Sequence, residues 1–205
     1  MIAVIDYEMG NVGSVLNMLR KIRIEAKLTR DPRDLDQARG IILPGVGSFD
    51  RGMEQLRKHD LIAILTDLVV GDGKPCLGIC LGMQLMCMSS EEGKLDGLGW
   101  LRAKVVRFKF GKDVENHKIP HMGWNSVQIQ KGNRLLLPNP EENRFYFVHS
   151  YHVACDEEGD IVGTTNYGYN FTSIFSKDNI YGVQFHPEKS HRFGIGLISN
   201  FTALG

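Results

Sequence analysis

The chain has 205 residues, 42% of them hydrophobic, with 24 Lys+Arg against 24 Asp+Glu. That length suits one large domain. The formal net charge of +0 excludes a chain-wide field that would attract nucleic acid or an anionic membrane. The opening Met-Ile-Ala-Val-Ile-Asp has no basic n-region, and no apolar run approaches a membrane span, so no signal peptide and a cytoplasmic location are expected. The cysteines at 76, 80, 87 and 155 lack the spacing of a disulfide scaffold and suit a reducing compartment.

In chain order, Ile2–Asp6 is an apolar run that ends polar, as a buried parallel strand does. Val12–Ile22 has helical spacing through Val15, Leu16, Leu19 and Ile22. Glu25–Leu28 is a weaker strand. Asp31-Pro32 reads as an N-cap followed by proline at the first helical position, opening a short helix to about Ala38. Gly40–Leu43 is a strand stopped by Pro44, Leu61–Val70 a helix after Asp60, Lys74–Ile79 a strand, and Leu81–Met88 a helix. Such alternation predicts a parallel sheet with helices on both faces. From Trp100 the pattern changes. Leu101–Phe110, Ser126–Gln130, Phe145–His149, Tyr151–Cys155, Ile161–Tyr167, Phe171–Ser176 and Ile180–Phe185 read as strands, and Phe193–Leu204 as a closing amphipathic helix. The predicted fold is one α/β domain over residues 1–205, with a central mixed, mainly parallel sheet flanked by helices and an antiparallel extension. Ligands in such folds bind outside the carboxyl ends of the parallel strands. Cys80 lies at one such end and Pro44-Gly45-Val46-Gly47 at another.

Gly78-Ile79-Cys80-Leu81-Gly82 carries the most chemistry. A cysteine between glycines at a strand-to-helix turn is a nucleophile elbow, held above the sheet at a helix N-terminus that favours thiolate. A cysteine nucleophile needs a base, and the base an orienter. Of the seven histidines, His186 is delivered to a strand end by Tyr181–Phe185, and Glu188 follows two residues on. In an extended chain residues two apart share a side, so Glu188 can hold the imidazole while its other nitrogen faces the thiol. The backbone amide of Leu81 is one candidate oxyanion donor, and that of Val46 or Gly47 the second.

Three motifs in order, Pro-Gly-Val-Gly-Ser-Phe, Gly-Ile-Cys-Leu-Gly-Met-Gln and Gly-Val-Gln-Phe-His-Pro-Glu, resemble the class I (triad) glutamine amidotransferases over the whole chain. Asp6-Tyr7 with Gly10-Asn11, Pro120–Asn125, Phe147–Tyr151 and His186–Ser190 narrow the likeness to the glutaminase subunits of imidazole glycerol phosphate synthases. Glu8 departs from the family's usual glycine, which puts the local turn in question. The resemblance implies that Cys80 attacks the side-chain amide of L-glutamine while His186 shuttles protons and Glu188 orients it. It also implies that Gln84 contacts the amino-acid end of glutamine, with backbone around Gly45, Ser150 and Tyr151 completing the pocket. Ammonia would pass to a (β/α)₈-barrel cyclase in a heterodimer, forming imidazole glycerol phosphate and aminoimidazole carboxamide ribotide in histidine biosynthesis. Free glutaminases of this kind are poorly active until the partner switches them on. Asn11, Trp124 and Lys189 match positions expected at that interface. No metal and no bound cofactor are expected.

Rival readings are a paralogous glutaminase feeding a related synthase that modifies a surface-polysaccharide sugar, a stand-alone γ-glutamyl hydrolase, and a degenerate binding module on the same fold. Blander readings also stand beside the sharp ones. The other three cysteines read as core thiols. Pro120 argues against a helical His117/His121 metal pair, and strand parity against one of His149 and His152. Asp6 and Asn11 can simply cap the first turn. Arg102–Lys112 reads as a strand with a solvated basic face.

Overall fold

The structure, a computed structural model, describes residues 1–111, 117–136 and 143–204. Lys112, the end of the basic stretch, and the last residue of the expected domain lie outside the described residues. The first half alternates as anticipated except for α3: β1 (Ile2–Ile5), α1 (Val12–Lys21), β2 (Ala26–Thr29), α2 (Pro32–Gln37), β3 (Gly40–Leu43), α3 (Phe49–Lys58), α4 (Leu61–Thr66, continued by a wide π turn to Gly71), β4 (Cys76–Ile79) and α5 (Leu81–Leu85). The second half holds β5 (Ser89–Ser90), β6 (Ala103–Arg107), β7 (His121–Ser126), β8 (Gln128–Ile129), β9 (Arg144–His149), β10 (Tyr151–Cys155), β11 (Ile161–Tyr167), β12 (Tyr169–Lys177), β13 (Ile180–Val183) and α6 (His191–Thr202).

Among the described residues the main sheet runs β2-β1-β3-β4-β13-β12-β10-β6-β5, with β11 on β12 and β8 on β11. The β2-β1-β3-β4-β13 portion is parallel throughout. Pairing turns antiparallel from β13 to β12 and on through β10 to β6. A separate ribbon pairs β7 with β9, antiparallel. Strands β1, β3 and β4 are buried on both faces, so their alternate side chains feed two cores. Ala3, Ile5, Ile41 and Leu43 pack toward α2–α5. Ile2, Val4, Ile42 and Leu77 pack toward Val15 and Leu19 of α1 and Leu197 and Phe201 of α6. Among the described residues no helix is long and apolar enough to cross a membrane.

Besides the two-residue strand β5, which the sequence does not predict, two elements depart from the sequence reading. Helix α3 lies where no helix is predicted, between Pro44 and Asp60; its stretch is polar, with an internal glycine, and only Phe49, Gly52, Met53 and Leu56 are buried. The strand expected over Ser126–Gln130 is instead two. Strand β7 occupies the Pro-His-Met-Gly-Trp-Asn motif, and only Gln128–Ile129 remain for β8. The Asp31 cap forms as expected, its side chain accepting from the Arg33 N–H at 2.9 Å.

Candidate active site

The turn at Cys80 is built by close approach of backbone to backbone. Strand β4 ends at Ile79, and the Cys80 N–H donates to the Val183 carbonyl oxygen at 2.8 Å, tying the elbow to β13. A Cβ on Gly82 would lie 1.9 Å from the Leu43 carbonyl oxygen, and one on Gly78 2.7 Å from the Met83 nitrogen. Neither neighbour can yield, so both positions demand glycine. Cys80 itself has φ +52° and ψ −107°, a conformation costing an L-residue about 1–3 kcal/mol. The surrounding hydrogen bonds hold it there, with the side chain directed into a cleft of about 340 Å³ lined by Cys80, His186, Gln84, Glu92, His149 and Tyr151 among others.

His186 and Glu188 meet, but not through an extended chain. Pro187–Lys189 is a 3₁₀ turn, so the strand-parity argument gives the correct pair for a wrong reason. The turn brings Glu188 Oε1 to 2.7 Å from His186 Nδ1. Helix α6 presses on this turn through Gly194, where a Cβ would lie 1.8 Å from the Pro187 carbonyl oxygen. The two side chains are 1% and 3% exposed, so the contact is sheltered from solvent. His186 Nε2 has no hydrogen-bond partner among the described residues. Burial disfavours the imidazolium, but the Cys80 sulfur and the Glu188 carboxylate outweigh it and raise the His186 pKa to about 10. Burial acts on Cys76, Cys87 and Cys155 without such partners. Cys76 and Cys87 are pushed far up and Cys155 to about 11, which makes them inert thiols.

The Pro44–Gly47 loop lies against the elbow. The Leu81 N–H donates to the Gly45 carbonyl oxygen at 3.4 Å. Tyr7, fully buried, donates its hydroxyl to the Pro44 carbonyl oxygen. Burial, reinforced by Cys80, pushes the Tyr7 phenol up, so it stays a neutral donor. Gln84 is buried, and its Nε2 donates to the Tyr151 carbonyl oxygen at 3.0 Å and to Gln184 Oε1 at 3.1 Å. Both its protons are spent inside the protein, so only its oxygen can meet a ligand. Val46, Gly47, Ser150 and Tyr151 line the same cleft.

A file of neutral imidazoles leads away from this cleft. His149 Nδ1 donates to the Tyr151 carbonyl oxygen at 2.8 Å, an acceptor only, so its Nε2 must accept from His121 Nδ1 at 2.9 Å. His121 Nε2 then accepts from Asn125 Nδ2 at 3.2 Å. Burial holds His149 well below the ordinary imidazole range and His121 at about 4, the latter helped by His117. Among the described residues no three His, Cys, Asp or Glu side chains gather as a metal site.

The family model described as glutamine amidotransferase class-I matches residues 3–203. The chain belongs to this family. It is 56% identical to imidazole glycerol phosphate synthase subunit HisH 2 of Methanococcus maripaludis, over 98% of each chain. It is 48% identical to the subunit HisH 2 of Pseudomonas aeruginosa over the full length of both. The fold is shared more widely. The structure of PurLQS from Thermotoga maritima superposes with a TM-score of 0.73 at 17% identity, covering 98% of this chain and 97% of that one.

In this amidotransferase the N-terminal turn survives the loss of its usual glycine. Glu8 adopts φ +62°, and its carboxylate meets Lys58 at 3.0 Å and His59 at 3.3 Å. Asp6 is not a cap but pairs with Arg30 at 2.6 Å, and Asn11 makes no side-chain cap bond. Trp124 is 40% exposed and stacks on His191, with ring planes 8° apart. Lys189 sits over the Tyr146 ring. Two groups at the site, one lining the cleft and one buried behind it, escape the sequence reading. Glu92 lines it and accepts from the Phe49 N–H at 2.8 Å, and Gln184 donates to the Cys80 sulfur at 3.7 Å. Gln184 stands inside a quoted motif, two residues before His186, where strand parity predicts a shared face. Nothing in the local sequence marks Glu92.

Proposed function

We propose that residues 1–205 form one glutaminase domain that hydrolyses L-glutamine through Cys80, His186 and Glu188. The observation that carries this reading is the convergence of an elbow cysteine and a carboxylate-bound imidazole on one cleft. The Cys80 thiolate attacks the carboxamide carbon of glutamine. His186, held through Nδ1 by Glu188, gives its Nε2 proton to the departing nitrogen, and ammonia leaves a glutamyl thioester. Water then attacks the thioester while His186 takes its proton, releasing glutamate and regenerating the thiolate. The Leu81 amide and that of Val46 or Gly47 receive the oxyanion. Gly45, Ser150 and Tyr151 frame the substrate, the Gln84 oxygen accepts from it, and the Glu92 carboxylate recognises its ammonium group.

The relatives' names, imidazole glycerol phosphate synthase subunit HisH 2, support delivery of the ammonia to imidazole glycerol phosphate synthesis, a step we place in histidine biosynthesis. A (β/α)₈-barrel cyclase would take it up in a heterodimer whose contacts include Asn11, Trp124 and Lys189. Both relatives named above carry the number 2. A second copy can serve another acceptor, which keeps open a paralogous glutaminase feeding a synthase of surface-polysaccharide sugars. Glutamate release is measured with and without each candidate barrel, for wild type and Cys80→Ala. Expected are activation by one barrel and loss of turnover in Cys80→Ala. Wild-type turnover in that variant would overturn the mechanism.

A further inference from the structure

We infer that Gln184 is a positioning residue for Cys80, its side-chain N–H donating to the sulfur and stabilising it as thiolate in the resting enzyme. This rests on the reading of Cys80 as nucleophile and adds a group to it.

The direction of the hydrogen bonds follows from the chemistry of the partners. The Tyr151 carbonyl can only accept, so the Gln84 amide must turn its nitrogen that way. The same nitrogen donates its second proton to Gln184 Oε1 at 3.1 Å. Gln184 then has its Nε2 left for Cys80 Sγ, 3.7 Å away, within range for a sulfur acceptor. Gln184 is 0% exposed, so no bulk water competes for that N–H. Its backbone is fixed too, the Gln184 N–H donating to the Ser173 carbonyl oxygen at 2.9 Å. The amide is thus oriented at both ends before any substrate arrives.

Such a donor discriminates between the two states of the sulfur. A side-chain N–H bonds a thiolate strongly and a thiol weakly, and the amide nitrogen cannot accept from S–H. His186 Nε2 finds no hydrogen-bond partner among the described residues in the same arrangement, whereas the Gln184 side-chain N–H lies within hydrogen-bond distance of the sulfur. The ionisable groups around Cys80 are Tyr7 just after β1, Glu92 after β5, His149 at the end of β9, Tyr151 at the start of β10, and His186 with Glu188 after β13. A change at Gln184 leaves all of them in place.

The test reads the thiol directly. The full chain is alkylated with iodoacetamide from about pH 5 to about pH 10, and the rate at Cys80 is followed by peptide mass. In Gln184→Leu the midpoint should rise by about one pH unit, a tenfold loss of thiolate on the acidic side. In Gln184→Glu, which places an acceptor against the sulfur, it should rise further. An unmoved midpoint in a folded variant would overturn the assignment. If neither variant folds, the side-chain ¹⁵N–¹H resonances of Gln184 in the wild type decide. They should shift at the Cys80 midpoint and lose that shift in Cys80→Ala; resonances blind to Cys80 would overturn the assignment. Turnover with an unmoved midpoint would sink only this inference, and a moved midpoint without turnover only the proposed activity.

Discussion

Replacing Glu188 by Gln tests the site most sharply, because it changes one charge in a buried pair and little else. Glu188 and His186 are 3% and 1% exposed and 2.7 Å apart, so solvent cannot stand in for the lost carboxylate. The wild-type carboxylate accepts from His186 Nδ1–H and leaves Nε2 to face the sulfur. A glutamine amide can donate to Nδ1 instead, which moves the proton to Nε2 and selects the wrong tautomer. An amide substitution of this kind in a triad costs about 10³–10⁴ in kcat, or about 4–5 kcal/mol of barrier. Glutamine KM should hardly move. Stability carries a second signature. His186 has a native pKa of about 10 against 6.5 when unperturbed, so the folded state binds the extra proton between those values. Its contribution is full below about pH 6.5 and is lost as pH rises through about 10. Glu188→Gln removes one of the two groups that raise this pKa, so the fall in unfolding free energy over that range should flatten. Steady-state kinetics with a saturating partner measures the first effect, and urea unfolding at several pH values the second. A variant within tenfold of wild-type kcat, or with an unchanged pH slope, would refute the pairing argument.

Glu92→Gln keeps the shape of the cleft and removes its carboxylate charge. Losing a charge-assisted hydrogen bond to the glutamine ammonium should raise KM about tenfold to a hundredfold and leave kcat within a few-fold; a KM within twofold of wild type would show that Glu92 does not touch the substrate. Gly82→Ala drives a Cβ against the Leu43 carbonyl oxygen, 1.9 Å away. It should cost more than about 3 kcal/mol or abolish soluble expression, since backbone sits on both sides of the clash. A soluble variant with a wild-type urea midpoint would remove the close-packing account of the elbow.

The sheet was legible because its inner strands are buried on both faces and read as apolar runs bounded by Pro and Gly, as at Gly40–Leu43 and Cys76–Ile79. The elbow was legible because two glycines and a cysteine at a strand end have few other uses. Helix α3 was not, since its buried face is four residues in a polar decamer and its partner surface is α5, which periodicity cannot see. His186 and Glu188 were found by spacing although the turn between them is 3₁₀, because a carboxylate two residues away can reach an imidazole by either path. Glu92 was invisible for a different reason. It enters the cleft because Asp50 accepts from the Lys94 and Leu95 amides, 3.0 Å each, and folds that loop onto the start of α3. Contacts separated by more than forty residues leave no local trace.

One geometric detail bears on how such a site could be switched. The Leu81 N–H, the proposed oxyanion donor, is already engaged by the Gly45 carbonyl oxygen at 3.4 Å. A donor pointed at a backbone carbonyl is not available to a tetrahedral intermediate, and a missing oxyanion donor costs about 10²–10³ in kcat, about 3–4 kcal/mol. The bond that withholds it is long, and a net intramolecular hydrogen bond is worth only about 1 kcal/mol. The two magnitudes are unequal in a useful direction. Turning the Gly45–Val46 peptide gives up the smaller one and recovers the larger. The Gly45 position demands glycine, because a Cβ there would meet the Tyr7 hydroxyl, the Leu81 Cβ and the Gly82 nitrogen, all within 3 Å. The Tyr7 hydroxyl holds the carbonyl on the near side of the loop at Pro44. Rotation of the single Gly45–Val46 peptide, next to a 41% exposed Val46, turns the Gly45 carbonyl away and frees the Leu81 amide.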